Sequence, residues 1–233
     1  MLTTLGAALA PGIALMSYFY LKDKYETEPL HMVIKSFILG MLIVFPVMLF
    51  QYVLQEEVPI GHFLRSFLLV GFFEEFFKWL IIFYTAFRHI EFDEPYDGIV
   101  YTTAVSLGFA TTENFFYLWS HGGVSTAFFR AILPVSSHGL FGVIMGYYFG
   151  RAKFPLDPSK TKVYLFISLL LPIFLHGTYD FILSIGGNSW IWLMIPFMIL
   201  LWATALDRST EALKRSMTPS FGKQYNHEDS LKG

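Results

Sequence analysis

Residues 71–83 read GFFEEFFKWLIIF, and this stretch decides the fold. It is too continuously apolar for a helix with a wet face, yet Glu74, Glu75 and Lys78 stand inside it. The surrounding chain settles which solvent it meets. Of 233 residues, 55% are apolar, 19% aromatic and 15% charged, whereas soluble domains carry about 25% charged residues. Such a composition excludes intrinsic disorder and disfavours a water-soluble domain. A bilayer core is crossed by about 20 mainly apolar residues. Seven stretches qualify: 2–21, 32–54, 63–87, 97–120, 128–149, 163–185 and 189–206. The fold expected is all-α, a polytopic membrane helix bundle of about seven spans, with residues 1–207 forming one integral-membrane domain.

The basic residues orient it. The N-terminal MLTTLGAALAPG has no basic segment of the kind that opens a cleavable signal peptide, and Lys22 and Lys24 follow the first apolar run. With the N-terminus outside, thirteen of the 16 Lys and Arg fall in cytoplasmic segments; Arg65 and Arg130 lie outside and Lys78 within a span. That is a strong positive-inside bias, and it places the C-terminus in the cytoplasm. Residues 208–233 then form a cytoplasmic tail that begins as helix and passes into disorder, its basic residues anchoring topology.

A net charge of −2 gives no electrostatic footprint for nucleic acid. The absence of cysteine removes disulfide scaffolds, thiolate metal sites and cysteine nucleophiles. The last span (189–206) holds three of the five Trp and no charge, which reads as a peripheral supporting helix. The second span has no acidic residue either, and the Met and Phe of these helices read as packing or lipid-facing residues.

Chemistry therefore resides in spans three to six, which carry Glu74, Glu75, Lys78, Glu113, Asn114, His138, His176 and Asp180. Each charge at mid-bilayer costs about 2.5–3.5 kcal/mol on insertion scales, so such residues face the bundle interior and mark sites or pathways. Glu74 and Lys78 share a helix face at i,i+4 spacing, and Glu75 sits about 100° around. Adjacent carboxylates in a low-dielectric site repel, and one of them is thereby suited to acid–base work. Gly108 and Ala110 offer a close-packing surface in span four, and Gly142 and Gly146 form a small-xxx-small pattern in span five beyond His138. His176 and Asp180 are again i,i+4, a spacing that fits a metal ligand with its orienting carboxylate and a catalytic histidine with its orienter equally well. The stretch EFDEPYDGIVY (91–101) carries Glu91, Asp93, Glu94 and Asp97. It reads as a solvated turn; its carboxylates are of the type that binds calcium, but the EF-hand spacing is missing.

HExxH, GxSG around a serine, GxGD and the Walker A pattern are all missing. What remains is EEFFK (Glu74, Glu75, Lys78), FDEPYDGIVY, GFATTENFFY (with Glu113 and Asn114), Arg130 followed by SSHG (His138), and HGTYDF (His176, Asp180). These elements, in this order, closely resemble the PrsW family of intramembrane proteases, and the opening APGIALMSYFYLKDKYETEP (10–29) is like that family too. The resemblance implies a glutamic-type endopeptidase of the bacterial cytoplasmic membrane, in a clan that includes prenyl-protein endopeptidases. It also implies a partner: a single-span membrane anti-sigma factor, cut at site 1 on the extracytoplasmic side so that a sigma factor is released. On this reading Glu74 or Glu75 takes a proton from water, and His138 and His176 position the water or the oxyanion. Asp180 orients His176, while Lys78, Glu113, Asn114 and Arg130 support the site. No cofactor or metal is expected, and the lipid bilayer is the only other partner. Two rivals remain open: a metal-dependent hydrolase using Glu74, Glu75, His138 and His176 as ligands, and an ion-coupled transporter or scaffold.

Overall fold

In the computed structural model, residues 2–57, 61–121, 124–185 and 187–217 are described. Among them the chain makes seven long helical passes and contains no strand. We label these α1 (Leu2–Lys22), α2 (Leu30–Glu57), α3 (62–85), α4 (Asp97–His121), α5 (124–153), α6 (Thr161–Ile185) and α7 (Trp190–Ser216). Two passes contain π-helical turns: Arg65–Phe72 in α3 and Ala131–Val135 in α5. The expected spans coincide with these helices within a few residues at each end, save that α7 runs well past 206. Five passes are long and apolar enough to cross a membrane; α3 and α4 fall short because of what they carry inside.

α4 is the central helix. Every residue from Asp97 to Thr112 is buried, and the helix packs against α1, α2 and α5. Its Gly, Ser, Thr and Ala content suits this position, because a helix surrounded by protein needs close approach rather than an apolar lipid face. Gly146 of α5 lies against the backbone of Gly98, where an added Cβ would strike the Gly98 carbonyl. The Thr102 hydroxyl donates across the same seam to the Gly142 carbonyl at 2.7 Å. Gly40 and Gly108 bring α2 and α4 together in the same way. α6 packs on α5 and on the π-helical stretch of α3, and Trp79 Nε1 donates to Ser168 Oγ at 2.8 Å to join α3 to α6.

α7 lies against α5 and α6 along one stripe, Met194, Met198, Leu201, Ala205, Ser209 and Ala212. Its other faces, and the outer face of α2, present exposed Leu, Ile and Phe, the surface a bilayer requires. The helix continues to Ser216; residues 218–233, where the tail was expected to become disordered, lie outside the described residues.

One expectation is corrected. The stretch 91–101 is not a solvated turn: Phe92, Glu94 and all of Tyr96–Tyr101 are buried. The Tyr96 hydroxyl donates to the Phe19 carbonyl at 3.1 Å, and its backbone N–H donates to Ser216 Oγ at 3.2 Å. These bonds fold the segment into the end of the bundle.

Candidate active site

α3, α4, α5 and α6 each deliver polar side chains to one buried centre. Glu74, Glu75 and Lys78 come from the first turns of α3 beyond its π segment, and all three are buried. His138 follows the π segment of α5, and His176 sits mid-way along α6. The two imidazoles are perpendicular, with ring centroids 4.9 Å apart.

Lys78 is wholly enclosed. Its Nζ donates to Glu75 Oε1 at 2.8 Å and to His138 Nδ1 at 3.0 Å, and lies 3.8 Å from Glu74 Oε2. The ammonium also stands 4.2 Å over the Phe109 ring. The i,i+4 pairing with Glu74 read from sequence is therefore the longer contact, and the i,i+3 pairing with Glu75 is the bond. Since His138 Nδ1 accepts from Lys78, its Nε2–H is left to donate to Glu113 Oε2 at 3.0 Å.

His176 is held from the opposite side. Its Nδ1–H donates to Glu75 Oε1 at 2.8 Å and Phe141 stacks on the ring at 5.1 Å. Nε2 then faces Glu74 Oε2 at 3.8 Å and Asp180 Oδ2 at 3.4 Å. The closer orienting carboxylate of His176 is thus Glu75, and Asp180 is a longer contact one turn along the same helix.

Gln51 of α2 donates through Nε2 to Glu74 Oε1 at 3.1 Å and to the Leu69 carbonyl at 3.4 Å. This fixes the Glu74 carboxylate and leaves its Oε2 buried without a hydrogen-bond partner. Glu74, His138 and His176 each offer one donor atom, all within 4.8 Å of one another. One carboxylate and two imidazoles with an orphaned oxygen between them is a donor set used by catalytic zinc sites. The residue types present fit a divalent ion, which His138 would join only by giving up its bond to Lys78 or to Glu113, since both its nitrogens are taken in this arrangement.

The centre has a way out. A cavity of about 280 Å³ is lined by Met48, Glu113, Phe116, Tyr117, Ser120 and Arg130. Glu113, with 28% of its side chain exposed, connects this cavity to His138. Arg130 donates through Nε to Asn114 Oδ1 at 2.9 Å and stacks its guanidinium 4.1 Å over Tyr117. Asn114 in turn donates to the Ala8 carbonyl at 3.3 Å, which ties the rim to α1.

A family model described as "PrsW family intramembrane metalloprotease" matches residues 28–204. The chain belongs to the PrsW family of intramembrane proteases. Protease PrsW of Bacillus subtilis (strain 168) is 53% identical over 218 residues, covering 93% of this chain and 99% of that protein. Protease PrsW of Geobacillus kaustophilus (strain HTA426) is 51% identical over 213 residues, 91% and 93% of the two chains. That of Clostridioides difficile (strain 630) is 34% identical over 222 residues, 92% and 93%. No solved structure matches.

In this PrsW-family protease the nine residues singled out from sequence divide in two. Glu74, Glu75, Lys78, Glu113, His138, His176 and Asp180 meet in one network; Asn114 and Arg130 bind each other at the cavity rim. Gln51, Phe109 and Phe141 are additional contacts that sequence reasoning passed over. The signal for Gln51 was available: a side-chain amide inside the apolar stretch 32–54 carries the same message as a charge there, more quietly.

Proposed function

We propose that this PrsW-family protease hydrolyses a peptide bond in a single-span membrane protein, with water activated at the Glu74–His138–His176 centre. The observation that carries the reading is Glu74 Oε2, a buried carboxylate oxygen with no hydrogen-bond partner, grouped with imidazole nitrogens from two other helices. Glu74, His138 and His176 would hold a divalent ion such as Zn²⁺, which would supply Lewis-acid chemistry for peptide hydrolysis. Glu75 holds His176 in the tautomer that turns Nε2 toward Glu74, and Lys78 offsets the charge of the paired carboxylates. Glu113, between His138 and the cavity, is placed to receive the proton of the attacking water and return it to the leaving amine. Asn114 and Arg130 shape the rim where an unwound substrate segment enters.

A second reading is the glutamic type, in which Glu74 Oε2 itself takes the proton of water with no ion present. The bond from Gln51 favours it, because it holds Oε1 and leaves Oε2 aimed at the reacting position. The substrate we propose is a membrane anti-sigma factor in the bacterial cytoplasmic membrane; the resemblance of the motif set supports it. The cavity opens at the end of the bundle near His121 and Arg130, which the positive-inside bias places toward the outer face, so the cut is proposed on the extracytoplasmic side.

The test is incubation of the purified full chain in lipid vesicles with a single-span anti-sigma factor, with fragments read by mass spectrometry. Cleavage by wild type and its loss in Glu74→Gln is the expected result. Loss on exhaustive chelation, restored by one added divalent ion, selects the metal-dependent reading; cleavage untouched by chelation selects the glutamic one. Undiminished cleavage by Glu74→Gln refutes both, and a new N-terminus on the cytoplasmic side of the substrate's span refutes the proposed sidedness.

A further inference from the structure

A second cluster of carboxylates lies at the other end of the bundle. Asp97 opens α4 and Glu113 stands sixteen residues further on, which at the α-helical rise separates them by about 24 Å. Asp23 comes from the link between α1 and α2, and Glu94 from the loop before α4. Asp23, Glu94 and Asp97 each offer one carboxylate oxygen, all within 4.8 Å of one another, and the three residues are 3%, 8% and 0% exposed.

Both oxygens of Asp23, Oε1 of Glu94 and Oδ1 of Asp97 are closed to solvent and have no hydrogen-bond partner. Asp97 is held by its other oxygen, since Oδ2 accepts from the backbone N–H groups of Asp93 and Glu94 at 2.8 and 2.7 Å. That closure fixes the loop and directs Oδ1 into the cluster. Glu28 stands beside it, accepting from the Tyr101 hydroxyl, and forms an overlapping group with Asp93 and Asp97. Lys153 acts on Asp97, Asp93 and Glu28 from a distance. Its Nζ, however, donates to the His89 carbonyl at 2.9 Å and lies 4.7 Å over the Phe92 ring. One ammonium does not balance this many acids.

Buried carboxylates in mutual repulsion are stable only if protonated or if a cation lies among them. Burial and the neighbouring acids push Asp23 up to about 6 and Glu94 up to about 8, the cost such a cation would remove. All donors are hard oxygens, which suit Ca²⁺ or Mg²⁺ rather than a nitrogen- or sulfur-seeking metal. Ca²⁺, with bonds of about 2.3–2.6 Å and a flexible coordination shell, accommodates carboxylates brought together from separate loops, whereas Mg²⁺ demands about 2.0–2.1 Å and a stricter octahedron.

We propose that Asp23, Glu94 and Asp97 form a binding site for a hard divalent cation of calcium size, separate from the active centre, which clamps the α1–α2 link to the loop that launches α4. The site stands independently of the proposed catalytic mechanism. Because α4 carries Glu113 and Asn114 at its far end, the clamp secures the helix on which the active-site rim is built.

The full chain in detergent, stripped of cations, tests this with Tb³⁺ as luminescent probe, sensitised by Tyr96 and Tyr101, and with thermal melting in Ca²⁺ or Mg²⁺. A saturable Tb³⁺ signal displaced by Ca²⁺ is expected, together with a melting temperature that rises with Ca²⁺. Asp23→Asn and Glu94→Gln each weaken Tb³⁺ binding at least tenfold and abolish the Ca²⁺-dependent rise, while the His138→Ala/His176→Ala double variant keeps both. In chelator Asp23→Asn melts above wild type, because a repelling charge is gone. Lack of a Tb³⁺ signal, a signal that survives both carboxylate variants, or melting indifferent to Ca²⁺ overturns the proposal and leaves shared protons as the neutralising device. If Asp23→Asn does not fold, Glu94→Gln and the wild-type titration decide the matter.

Discussion

Replacing Lys78 with Met tests the electrostatics of the centre directly. Met keeps the unbranched stem that fills the interior and deletes only the ammonium. In the wild type that ammonium lies 2.8 Å from Glu75 and 3.8 Å from Glu74, with the Lys78 and Glu75 side chains 1% and 0% exposed. Without it, Glu75 retains only the His176 bond, and two adjacent carboxylates repel with no cation between them. Removing one partner of a buried pair costs about 3–5 kcal/mol, a shift of roughly two to three and a half decades in the folding equilibrium. Solvent screening does not reduce this, since water does not reach the pair. The double variant Lys78→Met/Glu75→Gln replaces the pair with neutral groups and should recover most of the loss, giving a coupling on the order of 2 kcal/mol or more. The measurement is reversible unfolding of wild type, both single variants and the double in mixed micelles. A Lys78→Met protein within about 0.5 kcal/mol of wild type, or no coupling with Glu75, would refute the ion pair and with it the assignment of charge in this centre.

Glu75→Gln should depress kcat more than Asp180→Asn, because Glu75 holds His176 at 2.8 Å and Asp180 stands at 3.4 Å; equal losses in folded proteins would contradict this ranking. Gln51→Leu removes a hydrogen bond to a buried carboxylate, worth about 1.5–3 kcal/mol for a charged partner, and should lower kcat/KM by roughly tenfold or more, read in the same vesicle cleavage assay. An added Cβ at Gly71 would lie 3.0 Å from both Gly177 N and Ile173 O, so Gly71→Ala should part α3 from α6 and reduce cleavage while the protein still melts cooperatively. In chelator, melting should fall with rising pH. Burial holds Asp23 near 6 and Glu94 near 8, above the roughly 4 of an unfolded chain, so the native state keeps protons that the unfolded state has released. That contribution is full below the unfolded values and is lost as pH rises through 6 to 8; melting that climbs from pH 5 to 9 would reject it.

The spans were legible because hydrocarbon imposes a length, and a chain that must satisfy every backbone group internally has few ways to meet it. The residues of the centre were legible for the matching reason: Glu74, Glu75, His138 and His176 are expensive where they stand. Pairing was less legible. Lys78 is a helical neighbour of Glu74 at i+4 and of Glu75 at i+3, and spacing alone does not rank the two. Asp180 looked like the partner of His176 because it shares the helix, whereas the closer carboxylate, Glu75, arrives from another element 101 residues away. The acidic stretch 91–101 was misread because its composition is that of a surface turn. Its burial depends on Phe19, Ser209 and Ser216 from the first and last helices, contacts that no local pattern announces.

The two π-helical stretches explain why the faces, unlike the depths, resist prediction. Arg65–Phe72 ends two residues before Glu74, and Ala131–Val135 ends three residues before His138. A turn bonded i→i+5 takes in one residue more than an α-turn, so every side chain beyond it is rotated by roughly 100° from where an uninterrupted helix would aim it. Depth along the axis changes little, but azimuth changes by a full residue position. Both rotations fall just before the residues that must turn inward, and the α3 stretch packs against α6, the helix that supplies His176. Gly71 lies at that contact, its backbone against Gly177, the residue next to His176. The wide turn and the close approach together set Glu75 within 2.8 Å of the imidazole. The π geometry is thus part of how the centre is aimed, which is the usual company such turns keep at functional sites.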